Sequence, residues 1–147
     1  SAQVRDVLLS DRHTQTALNL FSRINTAYVG IGALTTNPIF TEDPAVPREA
    51  YDELVASKAV GDIALRFFDA EGRPVSTSLD ERLIGITLEQ LGEADCVVGV
   101  AGGPQKVEAI RGALRGRLID VLITDRVTAA ALSKTPQSSP ERSAADR

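Results

Sequence analysis

The chain has 147 residues, of which 43% are hydrophobic and 24% charged, and its formal net charge is −4. These values are typical of one globular domain, and the acidic balance argues against binding nucleic acid by electrostatics alone. The apolar runs are far shorter than the about 20 residues that cross a membrane, Cys96 is the sole cysteine, and no signal peptide is visible, so we expect a cytoplasmic protein without disulfides or a membrane partner.

The first third of the chain predicts a helix, a strand and a loop. Apolar residues at spacings of three and four predict a helix over residues 2–24. The apolar run at residues 27–32 ends in glycines and predicts a buried strand. Prolines and short polar residues predict a loop over residues 33–47, and Pro47 stands where proline favours the start of a helix.

The middle of the chain predicts a hairpin. Ile63, Leu65 and the apolar residue two further on alternate with other residues, which is the period of a strand. In the following "DAEGR", Gly72 stands where a turn needs positive φ. We therefore expect a β-hairpin near residues 63–77, then a short strand at "RLIGI" and a short helix that opens at Thr87.

Strands and helices alternate in the last part of the chain. The pattern predicts strands at residues 95–101 and 120–125, and helices at residues 103–115 and 126–132. Residues 134–147 are polar and typical of a disordered tail, which leaves residues 1–133 as the domain. This alternation predicts an α/β fold with a parallel sheet, in which ligands bind beyond the carboxyl ends of the strands.

The stretch "AGGPQK" follows one such strand end. Gly102 and Gly103 have no Cβ, so a ligand can approach the backbone closely, and the next helix begins with unpaired N–H groups. Lys106 faces the positive end of that helix dipole, a conflict that an anionic ligand would remove. A simple strand–turn–helix corner with an exposed lysine explains the same residues, and the spacing alone leaves both interpretations open.

Other polar or glycine-rich strand ends have simple structural interpretations. "GIGALTTN" contains Gly30 and Gly32 but lacks the third glycine of the dinucleotide fingerprint. Asp62 could accept hydrogen bonds from sugar hydroxyls or cap a turn, and the residues alone favour the cap. Asp125 is interpreted as the N-cap of the last helix. One histidine and one cysteine leave no zinc cluster, and we expect no cofactor and no metal.

Four motifs together are more specific than each one alone. In chain order, "YVGIG", "AVGDIALRFFDAEG", "VAGGPQKVEAIRGAL" and "LITDRVTAAAL" resemble the effector-binding domain of the SorC family of sugar-responsive bacterial transcription regulators. The resemblance covers residues 1–133. It implies a Rossmann-like, three-layer parallel sheet, similar to the sugar-phosphate isomerase and deaminase fold, that binds a phosphorylated sugar or a related metabolite.

The resemblance also implies partners and site residues. Such regulators carry an N-terminal helix-turn-helix domain that binds operator DNA, and they act as homo-oligomers, dimers or tetramers. The implied ligand-binding residues are Gly30, Gly32, Asp62, Gly102, Gly103 and Lys106. The phosphate would be held by N–H groups at Gly103 and by Lys106, and Asp62 would contact sugar hydroxyls, whereas Asp125 would be mainly structural.

The chain departs from the family pattern at its start. A helix-turn-helix segment, an early strand and a threonine-containing phosphate loop are missing, so we expect a partial effector domain that meets operator DNA only through another domain. Three hypotheses follow: a metabolite sensor, a sugar-phosphate isomerase or deaminase-like enzyme, and a fragment that retains only an assembly surface. The sole histidine, His13, lies in a polar stretch away from the motifs, which leaves no good general base and favours the sensor.

Overall fold

The computed structural model describes residues 1–37, 40, 46 and 48–134, and this part of the chain contains two three-stranded sheets. The first sheet is parallel, in the order β1-β5-β6. The second is antiparallel, in the order β2-β3-β4. The strands are β1 (Thr26–Gly30), β2 (Gly32–Ala33), β3 (Ala59–Ile63), β4 (Arg66–Asp69), β5 (Cys96–Val100) and β6 (Val121–Ile123). The predicted α/β class and parallel sheet are confirmed. Ile31 alone connects the last strand residue of β1 to the first of β2, so the chain passes directly from the parallel to the antiparallel sheet.

The long first helix of the prediction is wrong, because Asp11 divides it. The backbone of Asp11 is extended, with ψ of 133°, which ends α1 (Ala2–Ser10). Its carboxylate then caps α2 (Arg12–Leu18) by accepting the N–H groups of His13 and Thr14, both at 2.9 Å. An aspartate N-cap followed by a new helix is a common boundary.

The later helices begin near the predicted positions. They are α3 (Arg48–Ala56), α4 (Leu88–Leu91), α5 (Val107–Arg115) and α6 (Arg126–Leu132). The helix α4 opens at Thr87 as expected, and the Thr87 side chain caps it by accepting the N–H of Gln90 at 3.1 Å. Most of the predicted 33–47 loop, including Pro47, and the predicted tail beyond residue 134 lie outside the described residues.

The hairpin lies earlier than predicted. In the pairing of β3 with β4, Ala59 is opposite Asp69 and Ile63 is opposite Arg66. The tight turn is therefore formed by the two residues between Ile63 and Arg66. Leu65 is therefore in the turn and not in a strand. The predicted turn at Gly72 is present, with φ of 75°, and leads to a single antiparallel bridge between Phe68 and Pro74.

The strand predicted at "RLIGI" is absent from the described structure. Its backbone carbonyls accept hydrogen bonds from guanidinium groups and not from a neighbouring strand. Arg5 donates to the carbonyl of Leu83 at 3.0 Å, and Arg66 donates to the carbonyl of Ile86 at 3.1 Å. This segment thus ties α1 and β4 together.

The main core lies between the two sheets and α5. On α5, Ala109, Ile110 and Ala113 are buried in a cluster that also includes Val97 of β5. Gly61 of β3 lets α5 approach closely, because a Cβ at this position would lie 2.5 Å from the Cβ of Ala109. Across the described residues, no helix is long and apolar enough to cross a membrane.

Candidate functional site

A cavity of about 380 Å³ opens where β1 passes into β2. One wall is the carboxyl end of the parallel sheet, where α/β proteins bind ligands. The opposite wall is the end of β3 and the tight turn after it. The lining residues are Gly30, Ile31, Gly32, Ala33, Thr36, Asn37, Asp62, Ala64, Leu65 and Lys106. Four of the six residues expected from the sequence therefore line one cavity.

Asp62 is the buried polar centre of this cavity, with only 6% of its surface exposed. Asn37 Nδ2 donates to its Oδ1 at 2.9 Å, and the N–H of Leu65 donates to its Oδ2 at 3.1 Å. Burial raises the pKa of the Asp62 carboxyl, while these two donors and the nearby charge of Lys106 oppose the rise. Asp62 thus caps the turn, as its sequence context indicated, and also faces the cavity.

The absence of a side chain at Gly32 makes room for this carboxylate. Gly32 and Asp62 are opposite each other in the pairing of β2 with β3. A Cβ at Gly32 would collide with Oδ1 of Asp62, the atom that Asn37 binds. At Gly30, in contrast, a Cβ would meet no atom within 4 Å.

The turn that borders the cavity has an unusual backbone. Ala64 and Leu65 have φ angles of 53° and 61°, although neither is glycine. Residues with a Cβ cost roughly 1–2 kcal/mol in this left-handed region. The hydrogen bond from the Leu65 N–H to Asp62 stabilises the turn. Backbone strain of this kind is common in ligand-binding sites.

Lys106 brings a positive charge to the cavity and is the one cation among the described residues that line it. It ends a short 3-10 helix, Pro104–Lys106, and its N–H donates to the carbonyl of Gly103 at 3.1 Å. Gly103 has φ of 105°, a conformation that an L side chain rarely adopts. The glycine thus shapes the corner from which Lys106 reaches the cavity.

Gly102 and Gly103 themselves do not line the cavity. The N–H of Gly103, which was expected to hold a phosphate, donates instead to Oδ2 of Asp125 at 3.0 Å and to Oγ1 of Thr128 at 2.8 Å. A Cβ at Gly102 would collide with the same carboxylate. The expected anion-binding N–H group is therefore already engaged within the protein.

Asp125 has the structural role expected from the sequence. Its Oδ1 accepts the N–H groups of Val127 and Thr128 at 2.9 and 2.8 Å, which caps α6. Its Oδ2 accepts the Thr128 hydroxyl at 2.6 Å in addition to the Gly103 N–H. The Thr128 hydroxyl above all, with its N–H group, lowers the pKa of Asp125 to about 2. Asp125 thereby ties the corner at Gly103 to α6.

Sequence reasoning missed Asn37 and the turn residues. Asn37 is 9% exposed and reaches Asp62 from a distant part of the chain, so no local spacing indicates the contact. Ala64 and Leu65 carry no turn signal of the kind that Gly, Asn or Asp would provide.

As for metals, the described residues include no group of three or more His, Cys, Asp or Glu side chains that could hold an ion.

Comparisons with known proteins agree with one another. A family model described as "Putative sugar-binding domain" matches residues 1–134. The deoxyribonucleoside regulator of Bacillus subtilis (strain 168) is 35% identical over 132 residues, which cover 90% of this chain and 42% of that protein. The chain therefore spans less than half the length of this curated relative.

Two solved structures share the fold. The full-length sorbitol operon regulator SorC from Klebsiella pneumoniae superposes with a TM-score of 0.82 at 32% identity, over 91% of this chain and 43% of that one. A probable sor operon regulator from Shigella flexneri gives a TM-score of 0.81 at 31% identity, over 91% of this chain and 52% of that one.

Proposed function

Since the chain belongs to the sugar-binding domain family of SorC-type transcriptional regulators, we propose that it senses the effector of a sugar-responsive bacterial regulator. The relatives described above are named as regulators and not as enzymes. This favours the sensor over the isomerase or deaminase-like enzyme, whose fold is similar but whose function does not follow from the fold.

The proposed ligand is a phosphorylated sugar or a related metabolite, bound in the cavity between β1 and the β3–β4 turn. The observation that carries this proposal is the arrangement of Lys106 and the buried Asp62–Asn37 pair around one cavity. The lysine ammonium attracts a phosphate, and a carboxylate accepts hydrogen bonds from hydroxyls. A volume of about 380 Å³ is at the lower end of the range for small-molecule sites.

Asp62 has the capacity for this role. A carboxylate offers about four lone-pair sites, and Asn37 and Leu65 use one on each oxygen. The remaining sites suit two neighbouring hydroxyl groups of a sugar. The pair of internal donors fixes the carboxylate before the ligand arrives, which reduces the entropy lost on binding.

The glycines have distinct proposed roles. Gly30 and Gly32 line the cavity without a side chain that would take up room needed by a ligand, and Gly32 also leaves space for Asp62. Gly102 and Gly103 act indirectly, by shaping the corner that carries Lys106. The phosphate contact is therefore assigned to the Lys106 side chain and not to the Gly103 N–H, which binds Asp125 and Thr128.

In the whole regulator, operator DNA would be bound by a separate N-terminal helix-turn-helix domain in the cytoplasm. The regulator would be a homo-oligomer, a dimer or a tetramer. The sugar phosphate would change DNA binding only if its affinity differed between two states of that oligomer.

A thermal-shift and calorimetric screen tests the ligand. Wild type, Lys106→Ala and the control Lys134→Ala, which changes an exposed lysine outside the cavity, are compared with a panel of sugar phosphates, the matching free sugars and inorganic phosphate. We expect one sugar phosphate to raise the melting temperature of wild type and Lys134→Ala. Loss of a charge-assisted contact weakens binding to Lys106→Ala about 10- to 100-fold.

The outcomes separate the hypotheses. Turnover of a sugar phosphate by the chain would favour the enzyme. Binding that is equal for the free sugar and its phosphate, or unchanged in Lys106→Ala, would contradict the assigned phosphate contact. A cooperative melt with no shift from any compound would contradict ligand binding by this chain.

A further inference from the structure

The corner that carries Lys106 is bound by a buried hydroxyl group. Thr128 lies in the first turn of α6 and is only 1% exposed. Its hydroxyl accepts the N–H of Gly103 at 2.8 Å and donates to Oδ2 of Asp125 at 2.6 Å. A threonine hydroxyl can donate and accept at the same time, and here it joins α6 to the turn that follows β5.

The backbone of Gly103 depends on such contacts. Its φ of 105° and ψ of 148° lie in a region that is essentially restricted to glycine. A backbone in a sparsely populated region persists only where its surroundings fix it. The hydrogen bonds of the Gly103 N–H to Thr128 and to Asp125 supply this restraint.

The position of Lys106 depends in turn on Gly103. The 3-10 helix Pro104–Lys106 follows this glycine directly, and its last N–H donates back to the Gly103 carbonyl at 3.1 Å. Within the described part of the chain, no carboxylate forms an ion pair with the Lys106 ammonium. The backbone of the corner therefore determines from where the lysine side chain enters the cavity.

We propose that Thr128 is a positioning residue for the ligand contact of Lys106, because its hydroxyl fixes Gly103 and Gly103 directs the lysine into the cavity. The inference rests on the function proposed above, in which Lys106 contacts the phosphate. Thr128 does not line the cavity and acts only through the corner. A contact whose position is fixed before the ligand arrives loses less entropy on binding.

Two substitutions of Thr128 separate its hydroxyl from its packing. Thr128→Val replaces the hydroxyl by a methyl group and leaves the cap of α6 in place, because Oδ1 of Asp125 forms that cap with the backbone N–H groups of Val127 and Thr128. Thr128→Ser keeps the hydroxyl and removes a buried methyl group, so it is expected to lower the melting temperature.

Thr124→Val is the matched control. The Thr124 hydroxyl is buried, and it has no hydrogen-bond partner among the described residues. The residue directly precedes Asp125, so the same substitution is made close to the corner without removing a hydrogen bond from it. Circular dichroism melts verify that all three variants are folded.

Calorimetry with the sugar phosphate found by the screen measures the effect on binding. Loss of one hydrogen bond corresponds to a change in Kd of about two- to tenfold, and we expect Thr128→Val to bind more weakly than wild type by this factor. Thr128→Ser and Thr124→Val are expected to bind like wild type. If Thr128 acted only through packing, affinity would follow the melting temperature, and Thr128→Ser would bind weakly too.

A second measurement needs no ligand. The positive charge of Lys106 acts to lower the pKa of the Asp62 carboxyl, so this pKa reports how near the ammonium lies. Carbon-13 NMR titration is expected to give a higher Asp62 pKa in Lys106→Ala than in wild type, and a change in the same direction in Thr128→Val. Thr128→Ser and Thr124→Val are expected to leave the Asp62 pKa unchanged.

A third measurement needs no substitution. The N–H of Gly103 is expected to exchange slowly with solvent deuterium in wild type, because Thr128 and Asp125 both accept it. Exchange at the rate of an unprotected loop amide would overturn the inference.

The outcomes distinguish this inference from the proposed function. The expected NMR titrations without binding of any sugar phosphate would contradict the proposed ligand and support the positioning of Lys106 by Thr128. Equal binding of the sugar phosphate by wild type and Thr128→Val would overturn the inference. An Asp62 pKa that changes in Lys106→Ala but not in Thr128→Val would overturn it as well.

Discussion

Replacing Gly32 by alanine tests whether the cavity depends on the space beside Asp62. The added Cβ would collide with Oδ1 of Asp62, so the carboxylate has to move away from Asn37. The matched control is Gly30→Ala, the same change two residues earlier at the end of β1, where the Cβ would meet no atom within 4 Å.

The expected effect follows from two opposing terms. Gly→Ala restricts the unfolded chain and stabilises by about 0.4–1 kcal/mol where the backbone conformation allows a side chain. At Gly32 the displaced carboxylate loses its hydrogen bond from Asn37, and a hydrogen bond to a charged group contributes about 1.5–3 kcal/mol. The unfolded-state term is common to both variants, so Gly32→Ala is expected to be less stable than Gly30→Ala by about 1.5–3 kcal/mol.

Urea unfolding of wild type and both variants measures this difference. For a chain of this size, each kcal/mol corresponds to about 2–4 °C in melting temperature. Equal stabilities of Gly32→Ala and Gly30→Ala would refute the argument, because they would show that the Asp62 carboxylate moves without cost. Calorimetry with the sugar phosphate identified by the screen is expected to show weaker binding to Gly32→Ala as well.

Three further predictions concern the turn and the two aspartates. Ala64→Gly is expected to raise the free energy of unfolding by about 0.5–1 kcal/mol, because glycine adopts the positive φ of this position without strain. The control Ala33→Gly changes a residue with φ of −103° and is expected to lower the free energy of unfolding. Urea titration of both variants measures the two changes and their signs. The pKa of Asp62 is raised in the folded state, so protonation of this carboxyl favours folding. The stabilisation from the protonated carboxyl is complete below pH 3.8 and is lost as the pH rises through the folded-state pKa. Urea unfolding is therefore expected to show that the free energy of unfolding of wild type, minus that of Asp62→Asn, falls as the pH rises through this window, and a constant difference would contradict the raised pKa. The pKa of Asp125 is lowered to about 2, so the stabilisation from its ionised carboxylate is complete above pH 3.8 and is lost as the pH falls toward 2. Asp125→Asn lacks this ionisable group, so the free energy of unfolding of wild type is expected to fall more steeply with acid than that of the variant. The same pH dependence for wild type and Asp125→Asn would contradict the lowered pKa.

The sequence predicted the α/β pattern well because hydrophobic periodicity and capping residues are local signals. The start of a helix at Thr87, the N-cap Asp125 and the helix Arg126–Leu132 were predicted directly from neighbouring residues. The boundary at Asp11 was missed because apolar residues keep a helical spacing on both sides of it. The turn at Ala64 was missed because nothing in the side chain signals a left-handed backbone, which the packing of the two strands imposes.

The candidate site was predicted in part because glycine marks places where something approaches the backbone closely. The sequence cannot show what approaches. At Gly32 it is the Asp62 carboxylate, at Gly61 it is Ala109 of α5, and at Gly102 it is the carboxylate of Asp125. At Gly32 and Gly102, protein atoms thus fill space that a ligand was expected to use, whereas Gly61 serves the packing of α5.

This difference explains why four of the motif residues line one cavity although the Gly103 N–H binds Asp125 and Thr128. The glycines bring β2, β3 and the Gly103 corner together, and that close packing leaves Asp62 and Lys106 around a common cavity. The ligand contacts that we propose are made by these two side chains, and the position of the Asp62 carboxylate depends on Asn37 and on the turn at Leu65. Substitutions at the glycines are therefore expected to change the stability of the domain and, as a consequence, its affinity for the ligand. Substitutions of Lys106 are expected to change the affinity for the ligand with little change in stability.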